Sequence, residues 1–381
     1  MQRSSDYFLT THVGSLPRPD DLVQTMHAKE QGVPVDPEAL AVRIRDAVQE
    51  VVDIQVRCGV TVIDDGEMSK PSYATYVKDR LTGFGGTGTS YIFQDLVDFP
   101  ELRDKIFADP GRARRKTPAC NGPITVKDDD SVRIDLETLH DASAGKPIAE
   151  TFMSAASPGV VSLFFRNDYY PSHEDYLYAI AEAMRPEYEA IAASGTLLQV
   201  DCPDLAMGRH VQYAELELPE FRKRMQMHIE ALNHALRNIP ADRLRMHLCW
   251  GNYGGPHVCD VPLKDIIDLV WTAKPSGICF EAANPRHAHE WELFENTTVP
   301  DGKVLIPGVI ESQTNYVEHP ELIAQRIGRY AALVGRENVI AGSDCGYSIH
   351  VGQASVDRRV VWAKLEALAE GARIASAKFW S

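Results

Sequence analysis

A histidine and a cysteine one residue apart, His247-Leu248-Cys249, close an apolar run and give way to the glycine-rich stretch 250–257. Side chains alternate along an extended chain, so His247 and Cys249 project from one face at a strand's end. An imidazole nitrogen beside a thiolate sulfur is a donor pair that zinc favours. Two further candidates stand downstream. Glu281 ends Ser276-Gly277-Ile278-Cys279-Phe280-Glu281, and Cys345 lies in Ala341-Gly342-Ser343-Asp344-Cys345-Gly346, each where a β-prone run meets Gly, Asn or Pro. Four such groups can close a tetrahedron around one ion.

Something must bring residues a hundred positions apart to one point. Leu40, Ile44, Val48, Val51 and Val52 recur with helical spacing, Asp36 and Pro37 suit the N-cap and N1 positions, and Gly59 is a stop. The apolar run Val60-Thr61-Val62-Ile63-Asp64 then reads as a buried strand that delivers Asp65-Gly66-Glu67 to a loop. An earlier strand, residues 7–13, breaks at Gly14-Ser15. Main strands are expected near residues 8, 60, 122, 196, 243, 277, 303 and 338, with helices between the later ones at about 173–194, 219–238, 262–272, 286–296, 319–335 and 353–376. Strands alternating with helices predict an α/β fold, a single (β/α)8 barrel over 1–381. Long excursions are expected after strands 2 and 3: residues 70–120, with Tyr73, Tyr76 and a glycine-rich stretch at 83–88, and a second one carrying the β-prone run 160–165, Tyr169 and Tyr170. In such barrels catalytic groups gather at the C-terminal ends of the strands. Ser15, Glu67, Asp201, His247, Cys249, Glu281 and Cys345 all fall at expected strand ends.

The pieces Thr10-Thr11-His12-Val13-Gly14-Ser15-Leu16-Pro17, Asp65-Gly66-Glu67, Gly122-Pro123-Ile124-Thr125-Val126, Gln199-Val200-Asp201-Cys202-Pro203, His247-Leu248-Cys249, Phe280-Glu281 and Asp344-Cys345-Gly346 occur in the order of one known family. Over nearly its whole length the chain resembles the catalytic C-terminal half of cobalamin-independent methionine synthase and its short single-barrel relatives, among which are the epoxyalkane:coenzyme M transferases. The resemblance implies a catalytic Zn2+ held by His247, Cys249, Glu281 and Cys345. It further implies that Ser15, Glu67 and Asp201 hold the amino-acid part of homocysteine. A serine hydroxyl suits a carboxylate and two anionic side chains suit an ammonium, whereas the sulfonate of coenzyme M would want cations.

A thiol bound to zinc loses its proton, which gives a thiolate nucleophile at neutral pH. Glu281 is the ligand expected to yield as that thiol arrives. The expected activity is therefore transfer of a methyl or related alkyl group to a small thiol, from a methylated folate or another donor. The alternatives are a zinc-dependent thiol–epoxide transferase and a non-catalytic zinc-binding barrel. A poor amine leaving group needs a proton donor. The synthases place a histidine after the seventh strand, where this chain has Gln313 in Gly308-Val309-Ile310-Glu311-Ser312-Gln313-Thr314-Asn315. An amide cannot donate that proton as an acid, so the role falls to Glu311, His257 or His350, with Gln313 left to contact substrate. His12 is expected to line the pocket, and Trp250, Tyr253 and Tyr73 to wall it.

Composition sets the setting. Hydrophobic residues make up 44% of the 381 and charged ones 24%, and the formal charge of -15 argues against a nucleic-acid surface. The basic cluster at 112–116 reads as a solvated loop. No apolar run approaches the length of a membrane span, the first residues lack the apolar core of a signal peptide, and seven scattered cysteines do not form a disulfide framework. A cytoplasmic protein with reduced thiols and small-molecule partners, with homo-oligomerisation left open, is expected.

Overall fold

The computed structural model describes residues 1–88, 91–113, 117–353 and 355–381. Seven parallel strands form one continuous sheet in chain order: β1 (Val62–Ile63), β2 (Glu150–Ala156), β3 (Leu197–Asp201), β4 (Leu244–Leu248), β5 (Gly277–Phe280), β6 (Val304–Ile310) and β7 (Gly342–Ser343). The registers run Val62 to Glu150, Phe152 to Leu197, Leu198 to Leu244, Arg245 to Gly277, Gly277 to Val304 and Gly308 to Gly342. The segment at Leu9, Thr10 and Thr11 meets both outer strands. Thr11 N donates to Ala341 O at 2.8 Å, and Val62 N donates to Thr10 O at 2.9 Å. The sheet thus curls until its edges share one connecting segment.

Strands buried on both faces need helices outside and side chains within. Long helices cover the outside: Pro37–Arg57, Asp130–Ser143, His173–Ala193, Leu218–Ala235, Pro320–Val334 and Arg358–Phe379. The first begins as its sequence predicts, with Pro37 at N1 and the Asp36 side chain accepting from Glu38 N at 3.0 Å. Asp36→Ala is expected to lower unfolding free energy by about 1 kcal/mol in urea denaturation, because that N–H loses its partner. Inside the curl lies a buried cation. Arg245 donates to Thr11 Oγ1 at 2.9 Å and His12 O at 2.8 Å, and its guanidinium sits 4.1 Å from the Phe152 ring centroid. Among the described residues no helix is long and apolar enough to cross a membrane.

Three expectations change. The stretch near 122 is not a member of the main sheet. Thr82 N donates to Thr125 O at 2.9 Å, Leu81 bridges Val126, and Phe84–Gly85 pairs with Ala119–Cys120, so its β-propensity is met by a local antiparallel ladder. Glu150–Ala156 takes that place in the sheet, preceded by the helix Asp130–Ser143. The β-prone run at 160–165 is largely helical, Pro158–Phe164: Ser157 Oγ accepts from Val160 N at 3.0 Å and Pro158 occupies the first turn, so capping overrides residue preference. The helices expected at 262–272 and 286–296 shrink to short pieces, Leu263–Asp265 with Ile267–Val270, and the two-turn 3-10 helix Glu290–Glu295. Of the basic cluster, residues 114–116 lie outside the described residues.

Candidate metal centre and substrate pocket

At the C-terminal ends of the strands is a cavity with about 370 Å³ of empty space, open solvent included. Its walls include Ser15, Glu67, Tyr73, Asp201, His247, Cys249, Asn252 and Cys345. Their positions follow from the sheet. Asp201 closes β3 and is the register partner of His247 on β4, while Cys249 leaves β4 and Cys345 leaves β7.

One end of the cavity is soft. One donor atom from each of His247, Cys249 and Cys345 lies within 4.8 Å of the others. The two sulfurs are 3.8 Å apart and unbonded to each other. His247 is 3% exposed, yet neither of its ring nitrogens has a hydrogen-bond partner. Burying two unpaired imidazole nitrogens is costly, and a ligand on the ring would relieve that cost. Burial, reinforced by the Arg245 charge, lowers its pKa to about 3, which keeps the ring neutral with a lone pair available. The Cys345 thiol and burial together push the Cys249 thiol well above its ordinary value, so without a cation nearby this sulfur keeps its proton. The donor set suits Zn2+.

Glu281 stands beside this trio. Its Oε1 accepts from Trp250 N at 2.8 Å and its Oε2 from Asn284 Nδ2 at 2.7 Å, and the charges of Glu281 and Cys249 act on each other. Asp344 fixes the loop that carries it. This carboxylate accepts from the backbone N–H groups of Ala282, Ala283 and Asn284, each at 2.8 Å, one residue before Cys345. A side chain at Gly308 would place its Cβ 2.2 Å from Asp344 Oδ1, so glycine is required there. Asp344→Ala leaves three buried donors without an acceptor. It is expected to destabilise the fold by about 2–3 kcal/mol in denaturant titration and to weaken zinc binding about 10–100-fold in chelator competition.

Two buried carboxyl groups also line the cavity. Glu67 Oε1 accepts from Ser154 Oγ at 2.8 Å, its Oε2 is buried without a partner, and Asp201 Oδ1 accepts from Gln199 Nε2 at 2.9 Å. Burial raises the pKa of both carboxyls, and the charge of Glu67 raises Asp201 further. Glu67 sits at φ 58°, a backbone cost for a non-glycine residue that places its carboxyl at the cavity. Arg18 secures that turn from behind, donating to Glu67 O at 2.8 Å and Lys70 O at 2.9 Å. Ser15 Oγ accepts from Ser348 N at 3.4 Å, and a Cβ at Gly346 would lie 2.1 Å from it, which explains the glycine after Cys345.

Other expected site residues stand off the cavity wall. His12 uses both nitrogens internally, Nε2 with Gln55 Oε1 at 2.8 Å and Nδ1 accepting from Gly14 N at 3.1 Å, and burial lowers its pKa to about 4. Trp250 is fully buried, donates to Val261 O at 2.7 Å and packs on His287. Gln313 donates to Asn252 Oδ1 and so lies directly behind a wall residue. Glu311 accepts from Gln313 N at 2.6 Å and Lys364 Nζ at 2.8 Å. His257, at φ 55°, pairs with Asp260 at 2.9 Å; against the effect of burial, that carboxylate raises its pKa. His350 shares a 3.1 Å hydrogen bond with Ser72. Residues missed from the sequence are Ser154, Asn252, Asn284 and Asp344. Only Asp344 carried a visible cue, as the neighbour of Cys345.

The chain matches no protein-family model. Methionine synthase of Thermococcus kodakarensis is 24% identical over 373 residues, covering 96% of this chain and 92% of its own length. Methionine synthase of Saccharolobus solfataricus is 22% identical over 370 residues, covering 96% and 94%. Among solved structures, a B12-independent methionine synthase from Shewanella sp. W3-18-1 in complex with selenomethionine has a TM-score of 0.74 at 18% identity, covering 98% of this chain and 99% of that one. The putative vitamin-B12 independent methionine synthase of Listeria monocytogenes has a TM-score of 0.65 at 18% identity, with 98% of each chain covered. The chain therefore resembles the methionine synthases over nearly its whole length and shares the fold of their B12-independent members.

Proposed function

We propose that this chain is a zinc-dependent S-methyltransferase that transfers a methyl group to homocysteine or a closely related amino-acid thiol. One observation carries the reading: a single small cavity is lined both by the His/Cys/Cys donor trio and by two buried carboxyl groups. An amino-acid thiol has the matching groups, a sulfur and an ammonium. The likeness to methionine synthases over 96% of the chain supports the same substrate. His247, Cys249 and Cys345 would hold the ion, with Glu281 as the fourth ligand that yields. Bound there, Zn2+ supplies acidification of the incoming thiol, so that it presents a thiolate at neutral pH.

The chain's own groups do the rest. Glu67 and Asp201 orient the substrate by its ammonium, Ser15 donates to its carboxylate, and Asn252 with Gln313 behind it shapes the side from which the donor comes. Glu311 and His257 remain candidate proton donors to the leaving group, reached by movement of the 250–257 and 311–315 loops. In this reading the segment at Leu9, Thr10 and Thr11 is the first strand of a closed (β/α)8 barrel spanning the chain as one domain, with 64–149 as its main excursion.

Purified zinc-loaded protein incubated with homocysteine and, in turn, methylated folate and a methylsulfonium donor tests the proposal by mass spectrometry. Methionine formation with either donor is expected. Addition of coenzyme M to epoxypropane, with no methionine formed, would overturn it.

A further inference from the structure

Away from this cavity, four segments bring a second set of donor atoms together. His173 begins the helix His173–Ala193, His228 lies inside Leu218–Ala235, Tyr213 lies in the connection between, and Asp204 follows β3. His228 Nε2 lies 3.0 Å from His173 Nε2, and the Tyr213 hydroxyl lies 2.9 Å from His173 Nε2 and 3.0 Å from His228 Nε2. The opposite nitrogen of His228 meets Asp204 Oδ2 at 2.9 Å, and Asp204 Oδ1 accepts from Ser157 Oγ at 2.8 Å. None of these residues lines the cavity described above.

We infer that His173, His228 and Tyr213 form a second cation site, for a first-row divalent metal ion, independent of the thiolate site. Three arguments lead there. The first is spacing. Donors at about 2.1 Å from an ion and mutually at right angles are separated by about 3.0 Å, the edge length of this triangle. A tetrahedral site would spread them to about 3.4 Å, so the triangle fits one face of an octahedron. The second is crowding. Three polar atoms face one another along three short edges, so each must serve two partners at once. Coordination removes that conflict, because all three atoms turn lone pairs inward. The third is support. A carboxylate holding the far nitrogen of a ligating histidine fixes its tautomer and direction. Asp204 does this while itself held by Ser157. The pair is pressed against Gly159, where a Cβ would lie 1.9 Å from Asp204 Oδ2 and 2.6 Å from His228 Nδ1.

Imidazole donors suit zinc, copper, iron or nickel, while a hard oxygen donor and the absence of sulfur separate this triangle from the trio at 247, 249 and 345. His228, Tyr213 and Asp204 are buried and His173 is partly exposed, so His173 marks the side on which the ion enters and water completes its shell.

Cobalt(II) titration of the metal-stripped full-length chain tests this directly. Two equivalents per chain are expected, one with intense sulfur-to-cobalt charge-transfer absorption and one with weak visible bands only. In Cys249→Ser the charge-transfer band should disappear while the weak-band equivalent stays. His173→Gln and Tyr213→Phe, each verified as folded by circular dichroism, should keep the charge-transfer band and lose the second equivalent, with affinity falling at least tenfold. Absence of a weak-band equivalent in the wild-type chain, or a weak-band equivalent unchanged in both variants, overturns the proposal. Failure of the thiolate site alone leaves the weak-band equivalent in place, so the two assignments fail separately.

Discussion

Cys345→Ala is expected to fold, to lose stoichiometric zinc and to lose turnover. The fold should survive because the change removes one buried sulfur, and a typical substitution costs about 1 kcal/mol. Asp344, which holds three backbone N–H groups of the Glu281 loop, is untouched. Metal binding is different, because Cys345 supplies one of only two thiolates available to the trio. Removing a group that merely orients a ligand costs about 10–100-fold in affinity or activity, so removing a ligand should exceed the upper end of that range. A second measurement makes the assignment sharper. The Cys345 thiol and burial hold the Cys249 proton on its sulfur until a cation arrives. Zinc binding at pH 7 should therefore release about two protons in the wild-type chain and about one in Cys345→Ala, read as buffer-dependent heat in calorimetry. Equal zinc content and equal rates in the two proteins would remove the foundation of the proposed function.

The soft end of the site was legible because its chemistry is local. Two donors at i and i+2 on a strand need no tertiary knowledge, and Glu281 and Cys345 stand at visible strand ends. What failed was legible only through packing. Glu150–Ala156 ends in Ser154-Ala155-Ala156, which lacks the branched and aromatic residues that announce a strand. Those small residues are there for close approach: Ser154 reaches Glu67, and the Tyr188 and Tyr76 hydroxyls meet the backbone of Ala156. The converse case has the same root. Residues 123–126 and 160–165 have strand-forming composition, but a neighbouring ladder captures the first, and Ser157 with Pro158 turns most of the second into a helix. The placement of His12 and Trp250 off the cavity wall has a related reason. A polar or aromatic residue at a strand end can face the cavity or the layer below it, and only Gln55 and Val261, their partners, decide.

Glu67→Gln should bind the amino-acid thiol worse and yet be more stable without it. The binding loss follows from exchanging a buried anion for a neutral amide opposite an ammonium. A charge-assisted hydrogen bond contributes about 1.5–3 kcal/mol, so KM for homocysteine should rise roughly ten- to hundredfold. A thiol of the same length without the amino group should be affected little, and that contrast separates recognition from general damage. The stability gain follows from linkage. Burial raises the folded pKa of Glu67 above its unfolded value, although Lys70 and Arg18 oppose the shift. Between those two values the native state holds more protons than the unfolded chain, so stability is lost as pH rises through the window. Above the folded value that cost is fully present. Glutamine cannot ionise, keeps an oxygen for Ser154 Oγ, and relieves the charge that raises Asp201. The melting temperature at pH 7.5 should therefore rise, by about 1 °C for each kcal/mol recovered, and the difference from wild type should shrink on acidification. The same titration acts on binding with opposite sign: wild-type KM should climb as pH falls and the two carboxyls take up protons, whereas Glu67→Gln should lose part of that dependence. A variant that melts lower at pH 7.5 and shows an unchanged KM would mean that Glu67 serves the fold, and that the ammonium is held elsewhere.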